Sequence, residues 1–139
     1  MGDRANVKIK MAACNGYPAG NIFLYTHWGG TELPGLVKEG LKAGVNRWDD
    51  DSYLVRILAR GMGMGEDGET GYGIATYPPD NEHKFIVIDC EKQIISLETP
   101  DGDESRYFAG DKINGGTSWS FQEYVQIENP QWVNPQDEV

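Results

Sequence analysis

Apolar and polar side chains alternate from Val7 to Met11 (Val-Lys-Ile-Lys-Met), the period of a strand with one buried face. A cluster of turn formers, Asn15-Gly16-Tyr17-Pro18-Ala19-Gly20, comes next. The aromatic and β-branched run from Asn21 to His27 then predicts a second strand, close enough to form a hairpin with the first. Gly29-Gly30 stops that strand and the period changes. Leu33, Leu36, Val37 and Leu41 fall on one helical face, with Thr31 as the expected cap, Pro34 in the first turn and Gly44 at the end. A second helix is expected to begin in Asp49-Asp50-Asp51, where carboxylates complement the helix dipole. Its stripe is Leu54, Ile57, Leu58 and Met62, and Arg56 and Arg60 lie one turn apart on another face.

Six glycines between Gly61 and Gly73 predict a loop. Strands are expected again at Tyr72–Tyr77, Lys84–Asp89 and Gln93–Leu97, with a Pro78-Pro79-Asp80-Asn81 turn between the first two. Thr99–Glu104 reads as a turn, Ser105–Ala109 as one more strand, and Gly110–Gly116 as a loop. From Trp119 to Ile127 two patterns compete. Trp119, Phe121, Val125 and Ile127 alternate as in a strand, whereas Ser120 and Glu123 form a capping box before Phe121, Tyr124 and Val125. The expected fold is α+β: a mainly antiparallel sheet, two consecutive helices after the first hairpin, and a short C-terminal helix or strand. Residues 1–128 are expected to make a single α+β ligand-binding domain, and 129–139 an acidic, loosely ordered tail on which Trp132 is the residue able to dock.

Composition narrows the partners. Of 139 residues, 39% are hydrophobic and 24% charged, as in ordinary globular domains, so disorder throughout is excluded. The net charge of -10 makes duplex nucleic acid and anionic membranes poor partners, since both are bound mainly through Lys and Arg. Small anions escape this argument because two or three arginines suffice for them. No apolar run approaches the roughly 20 residues that span a bilayer, and Met1–Cys14 has no signal-peptide core, so a soluble cytoplasmic protein is expected. Cys14 and Cys90 form no metal-ligand spacing, and no metal or cofactor is expected.

Several motifs fail on inspection. Gly63-Met64-Gly65-Glu66-Asp67-Gly68 fits G-x-G-x-x-G, but it follows a helix and its acids repel phosphate. Asp101–Ser105 opens like a calcium loop, yet Arg106 stands where Gly is needed and Lys112 where Glu is needed. His27 and His83 lie near acids and suit a general base, without a nucleophile motif to serve. A cationic and aromatic set carries more. Only five arginines occur (Arg4, Arg47, Arg56, Arg60, Arg106); Arg47-Trp48 sits between the helices, Tyr72 and Tyr77 flank a strand, and Asn81 lies in the next turn. Arginine forks grip phosphate, aromatic faces stack bases at about 1–3 kcal/mol each, and an Asn reads a base edge. The plainer account is that the aromatics are core or rim residues and the arginines are solvated.

The segments Tyr25-Thr26-His27-Trp28-Gly29-Gly30, Leu33-Pro34, Arg47-Trp48-Asp49-Asp50, Tyr53-Leu54, Glu69-Thr70-Gly71-Tyr72-Gly73-Ile74 and Asp80-Asn81-Glu82 resemble a small family common in bacteriophage genomes, the first-described Thoeris anti-defence sponges. The resemblance spans about residues 20 to 97. It implies a phage protein that is not an enzyme, acting in the infected host and trapping cyclic ADP-ribose isomers, in some members also cyclic oligonucleotides. It also implies a homo-oligomer, a dimer or hexamer, with ligand pockets between subunits. Carried onto this chain, the ligand-binding positions are Arg47 for phosphate, Tyr72 for stacking, Asn81 for a base or ribose edge, and Arg106 from the C-terminal part, outside the matched stretch. A small nucleotide hydrolase and a structural or protein-binding phage protein are the alternatives.

Overall fold

The computed structural model describes residues 2–65, 68–79, 81–100 and 112–133. Strand β1 (Ala5–Met11) turns back into β2 (Gly20–Thr26), and two helices follow, α1 (Leu33–Ala43) and α2 (Asp51–Gly61). Then come β3 (Tyr72–Ala75), β4 (Phe85–Asp89), β5 (Ile94–Glu98), the two-residue β6 (Lys112–Ile113) and β7 (Ser118–Ser120). Helix α3 (Phe121–Val125) and β8 (Trp132–Val133) complete the described chain. The main sheet has the order β3-β2-β1-β4-β5-β7. All its pairings are antiparallel except β1 with β4, so the fold is α+β with a mostly antiparallel mixed sheet.

The alternation seen in the sequence decides which face is covered. Ala5, Val7 and Ile9 of β1 point to one side with Leu24, Ile86, Ile88 and Ile95. Leu33, Val37 and Leu41 of α1, and Leu54, Leu58 and Met62 of α2, close over them. Fully burying each such side chain contributes about 1.5–3 kcal/mol, so this layer dominates stability. The helices approach closely at Gly40, where a Cβ would lie 2.8 Å from Leu58 Cδ2. On the opposite face Phe23, Phe85 and Val87 form a second buried cluster, with Phe23 and Phe85 edge to face at 5.5 Å.

The helix ends differ from expectation. The cap of α1 is Glu32, with no side-chain capping bond. Thr31 is diverted because its backbone N–H and its hydroxyl both donate to the Asp3 carboxylate, at 2.7 and 2.6 Å. Gly44 does end α1, but at φ -97°, so it supplies no left-handed cap. From 118 to 125 both competing patterns are realised in turn: β7 runs to Ser120, and α3 starts at Phe121. The capping box is complete, with Glu123 N–H donating to Ser120 Oγ at 3.0 Å and Ser120 N–H donating to Glu123 Oε1 at 2.8 Å.

Two expectations near the C-terminus are corrected. The loop expected over Gly110–Gly116 contains β6, which pairs with β8. Residues 129–133 belong to the tail expected to be loosely ordered; Asn129 and Gln131 are exposed, but the segment is anchored at Pro130 and, as expected for that residue, at Trp132. Pro130 is buried, and Trp132 Nε1–H donates to the Gly30 carbonyl at 2.9 Å. The strand expected at Ser105–Ala109 lies outside the described residues. Among the described residues no helix is long and apolar enough to cross a membrane.

Candidate functional site

The feature best suited to a planar ligand lies where α2 hands over to β3. After Gly61 Met64 packs, partly buried, against the core, and the chain enters β3 at Tyr72. Met64, Gly68, Glu69, Thr70, Tyr72 and Ile74 line an open hollow of about 280 Å³. Tyr72 is 43% exposed, and its hydroxyl reaches the Gly63 backbone, where a Cβ would lie only 2.7 Å away. Arg60, in the last turn of α2, places its guanidinium against Gly65, next to Met64.

Gly71 sets the aromatic rim. Its φ is +101°, and an added Cβ would meet Trp28 Cζ3 at 2.8 Å. Only glycine allows both the backbone turn and the indole ring to share this place. The Gly71 carbonyl accepts from His27 N–H at 2.9 Å, which joins β3 to the end of β2. His27 in turn lies edge to face with Trp28 at 5.0 Å and has Nδ1 2.8 Å from the Tyr25 hydroxyl.

The three sequence candidates among the described residues, Arg47, Tyr72 and Asn81, are not gathered in one protomer. Arg47 sits in a short 3₁₀ turn before α2, over the Tyr53 ring at 4.8 Å and 3.8 Å from Asp50. Tyr72 stands at the other end of that 11-residue helix, about 16 Å along its axis. Asn81 is on the other face of the sheet. Its partner Asn6 points away from the helices, whereas Tyr72 pairs with Thr26 on the helix side. Both ends of its amide are engaged within the chain: Asn6 Nδ2 donates to Asn81 Oδ1 at 3.3 Å, and Asn81 Nδ2 donates to the His83 carbonyl. Arg106 lies outside the described residues. Trp48, the neighbour of Arg47, is structural, donating Nε1–H to the Leu41 carbonyl at 3.0 Å and packing on Phe121.

Arg60, Met64, Thr70 and Trp28 were not singled out as ligand residues. The signal for Arg60 was present in the chain, since it ends the helix that feeds the glycine-rich turn into Tyr72. Trp28 gave no such signal, because its place against Gly71 depends on strand pairing.

A second cluster holds the N-terminal segment. His83 Nε2 lies 2.7 Å from Asp3 Oδ1, and the imidazole stacks on Trp132 at 5.3 Å and 19°. Burial pushes the Asp3 carboxyl up, but hydrogen bonds from the Thr31 hydroxyl, His83 and the Thr31 N–H outweigh it and hold the carboxyl below its usual range. Arg4 Nε–H donates to Glu82 at 2.7 Å and lowers that carboxyl too. Burial, with the charges of Asp51 and Asp89, pushes the Cys90 thiol up to about 12, so it is inert, while Cys14 is exposed. No group of three or more metal-ligating side chains occurs among the described residues.

Fold and hollow together define an α+β domain with an aromatic, glycine-framed hollow at one edge of its sheet. Comparisons with protein-family models, curated proteins and solved structures find no match for the chain.

Proposed function

We propose that the protein binds and sequesters a cyclic nucleotide signal, of the cyclic ADP-ribose or cyclic oligonucleotide kind, without cleaving it, as a phage anti-defence sponge. The observation that carries the reading is Tyr72, a half-exposed ring beside a hollow lined by Met64 and Thr70. A base stacks on the Tyr72 face. Glu69 accepts from ribose hydroxyls, and the phosphates turn away from it toward Arg60. At about 280 Å³ the hollow is slightly below the usual range for small-molecule sites, so it holds about one nucleoside portion and leaves the rest of the ligand outside. Arg47 is too far along α2 to reach the same ligand and contributes only from another copy of a homo-oligomer.

A sponge needs affinity near nanomolar, about -12 kcal/mol, to outcompete an effector. Native mass spectrometry of the protein after incubation with a cyclic ADP-ribose isomer, followed by chromatography of the heat-released ligand, tests the reading. Retained, intact ligand supports it; a cleaved product makes the protein an enzyme. The hydrolase alternative rests on the Asp3–His83 pair, a base oriented by a carboxylate. Turnover that disappears in His83→Ala is what it requires.

A further inference from the structure

We infer that Asn15 is a site of self-modification: its side-chain amide cyclises onto the backbone and hydrolyses to isoaspartate and aspartate. Asn114, in a turn of the same build, is held intact. The chain contains two Asn-Gly dipeptides, Asn15-Gly16 and Asn114-Gly115. The first lies in the β1–β2 connection beyond the Met11–Gly20 pair, at the far end of β2 from Thr26, which pairs with Tyr72. The inference is therefore independent of the ligand reading.

The two dipeptides sit in matching turns. Cys14 and Tyr17 exchange backbone hydrogen bonds of 3.1 and 2.9 Å around Asn15-Gly16, and Ile113 and Gly116 exchange bonds of 3.1 and 2.9 Å around Asn114-Gly115. The central φ values are +51° and +85° in the first turn, and +50° and +81° in the second. Positive φ at both central residues is the mark of the type I′ hairpin turn, for which Asn-Gly is a preferred pair. Both asparagines are exposed. Neither turn geometry nor access to water separates them.

The hold on the side chain does. Asn114 Nδ2–H donates to the Asn129 carbonyl at 3.2 Å, and its Oδ1 accepts from the Gln131 N–H at 2.9 Å. The Asn114 N–H donates to the Gln131 carbonyl at 3.0 Å. Trp119 backs this turn so closely that a Cβ on Gly116 would lie 2.7 Å from the indole. The Asn15 turn has no such support. Among the described residues no group bonds to the Asn15 amide, a Cβ on Gly16 would meet nothing within 4 Å, and Tyr17 is 77% exposed.

The reaction needs that freedom. The Gly16 backbone nitrogen, losing its proton to base, attacks Asn15 Cγ; a C–N bond forms, and the side-chain nitrogen leaves as ammonia. Water then opens the five-membered imide. Opening at the backbone carbonyl gives isoaspartate, with the chain running through Cβ and Cγ, and opening at the side-chain carbonyl gives aspartate. Either product adds one negative charge, taking the net charge from -10 to -11. Glycine leaves the attacking nitrogen unshielded. Ring closure also takes Asn15 out of its left-handed conformation, so the turn opens first and the cost of opening sets the rate. At Asn15 two backbone bonds break, whereas at Asn114 the side-chain bonds to Asn129 and Gln131 break as well.

Incubation of the full chain at 37 °C and pH 8, then digestion in acid and mass spectrometry of the two Asn-Gly peptides, tests this. Asn15 is expected to convert at least about tenfold faster than Asn114, the effect of two further hydrogen bonds. The products are isoaspartate and aspartate, the rate rises from pH 6 to pH 8, and a more acidic species separates on ion exchange. In guanidinium chloride, where both turns are open, the two sites are expected to convert within about threefold of each other. Asn15 intact in the folded chain once the unfolded sample has converted overturns the inference. So does equal conversion at both sites in the folded chain, or a tenfold gap that persists on unfolding.

Discussion

Asp3→Asn removes one charge and leaves the side chain's shape unchanged. In the native chain the carboxylate accepts from the Thr31 N–H, the Thr31 hydroxyl and His83, at 2.7, 2.6 and 2.7 Å. Hydrogen bonds to charged groups contribute about 1.5–3 kcal/mol each when enclosed. The Asp3 side chain keeps 32% of its surface in water, so screening removes roughly half, and the amide keeps part of the rest. The expected net loss is about 2 kcal/mol at pH 7, or about 6–8 °C in Tm for a domain of this size. The sign of the pH dependence is fixed by the lowered carboxyl. A carboxyl that ionises more easily in the folded chain stabilises it above its unfolded pKa, near 4, and this is lost as the pH falls through the folded value. Urea unfolding followed by tryptophan fluorescence at pH 7 and pH 3 reads both effects. The gap between wild type and Asp3→Asn should be full at pH 7 and shrink toward pH 3. A gap under about 0.5 kcal/mol at pH 7, or one equally large at pH 3, refutes the reasoning.

Three further outcomes follow from the same geometry. Gly71→Ala forces a positive φ on an alanine and drives its Cβ into Trp28, so it should cost about 1–3 kcal/mol in thermal unfolding. Tyr124→Phe deletes the 2.8 Å bond from its buried hydroxyl to the Pro34 carbonyl and should cost about 1 kcal/mol by urea titration. With a thiol reagent at pH 8, Cys14 should react at once and Cys90 only on unfolding. Because the Cys90 thiol is raised above its ordinary 9.0, stability should also decline as the pH climbs from about 9 toward 12.

Much of the fold was legible in the chain because one face of each element is buried. Val7, Ile9 and the stripe Leu33, Val37, Leu41 reveal their period directly, and these residues form the core. Polar side chains with two available partners were harder to read. Thr31 fits a helix cap equally well, but Asp3, 28 positions away, takes its hydroxyl. Two-residue strands such as β6 and β8 show no period at all. The site was legible only in part, for a related reason. Tyr72 stands out at the end of a glycine-rich turn, but sharing one pocket with Arg47 or Asn81 depends on which end of α2 and which face of the sheet each occupies. Strand register decides that, and it pairs Tyr72 with Thr26 and Asn6 with Tyr25 on opposite faces.

Titration calorimetry of cyclic ADP-ribose isomers into wild type, Tyr72→Ala and Tyr72→Phe tests the sequestration claim most directly. Stoichiometric, tight binding to wild type and near-equal binding to Tyr72→Phe are expected, because the ring face is the contact. Tyr72→Ala should lose at least tenfold in affinity, about 1.4 kcal/mol. No heat from any isomer at about 100 μM protein, or full affinity in Tyr72→Ala, contradicts it.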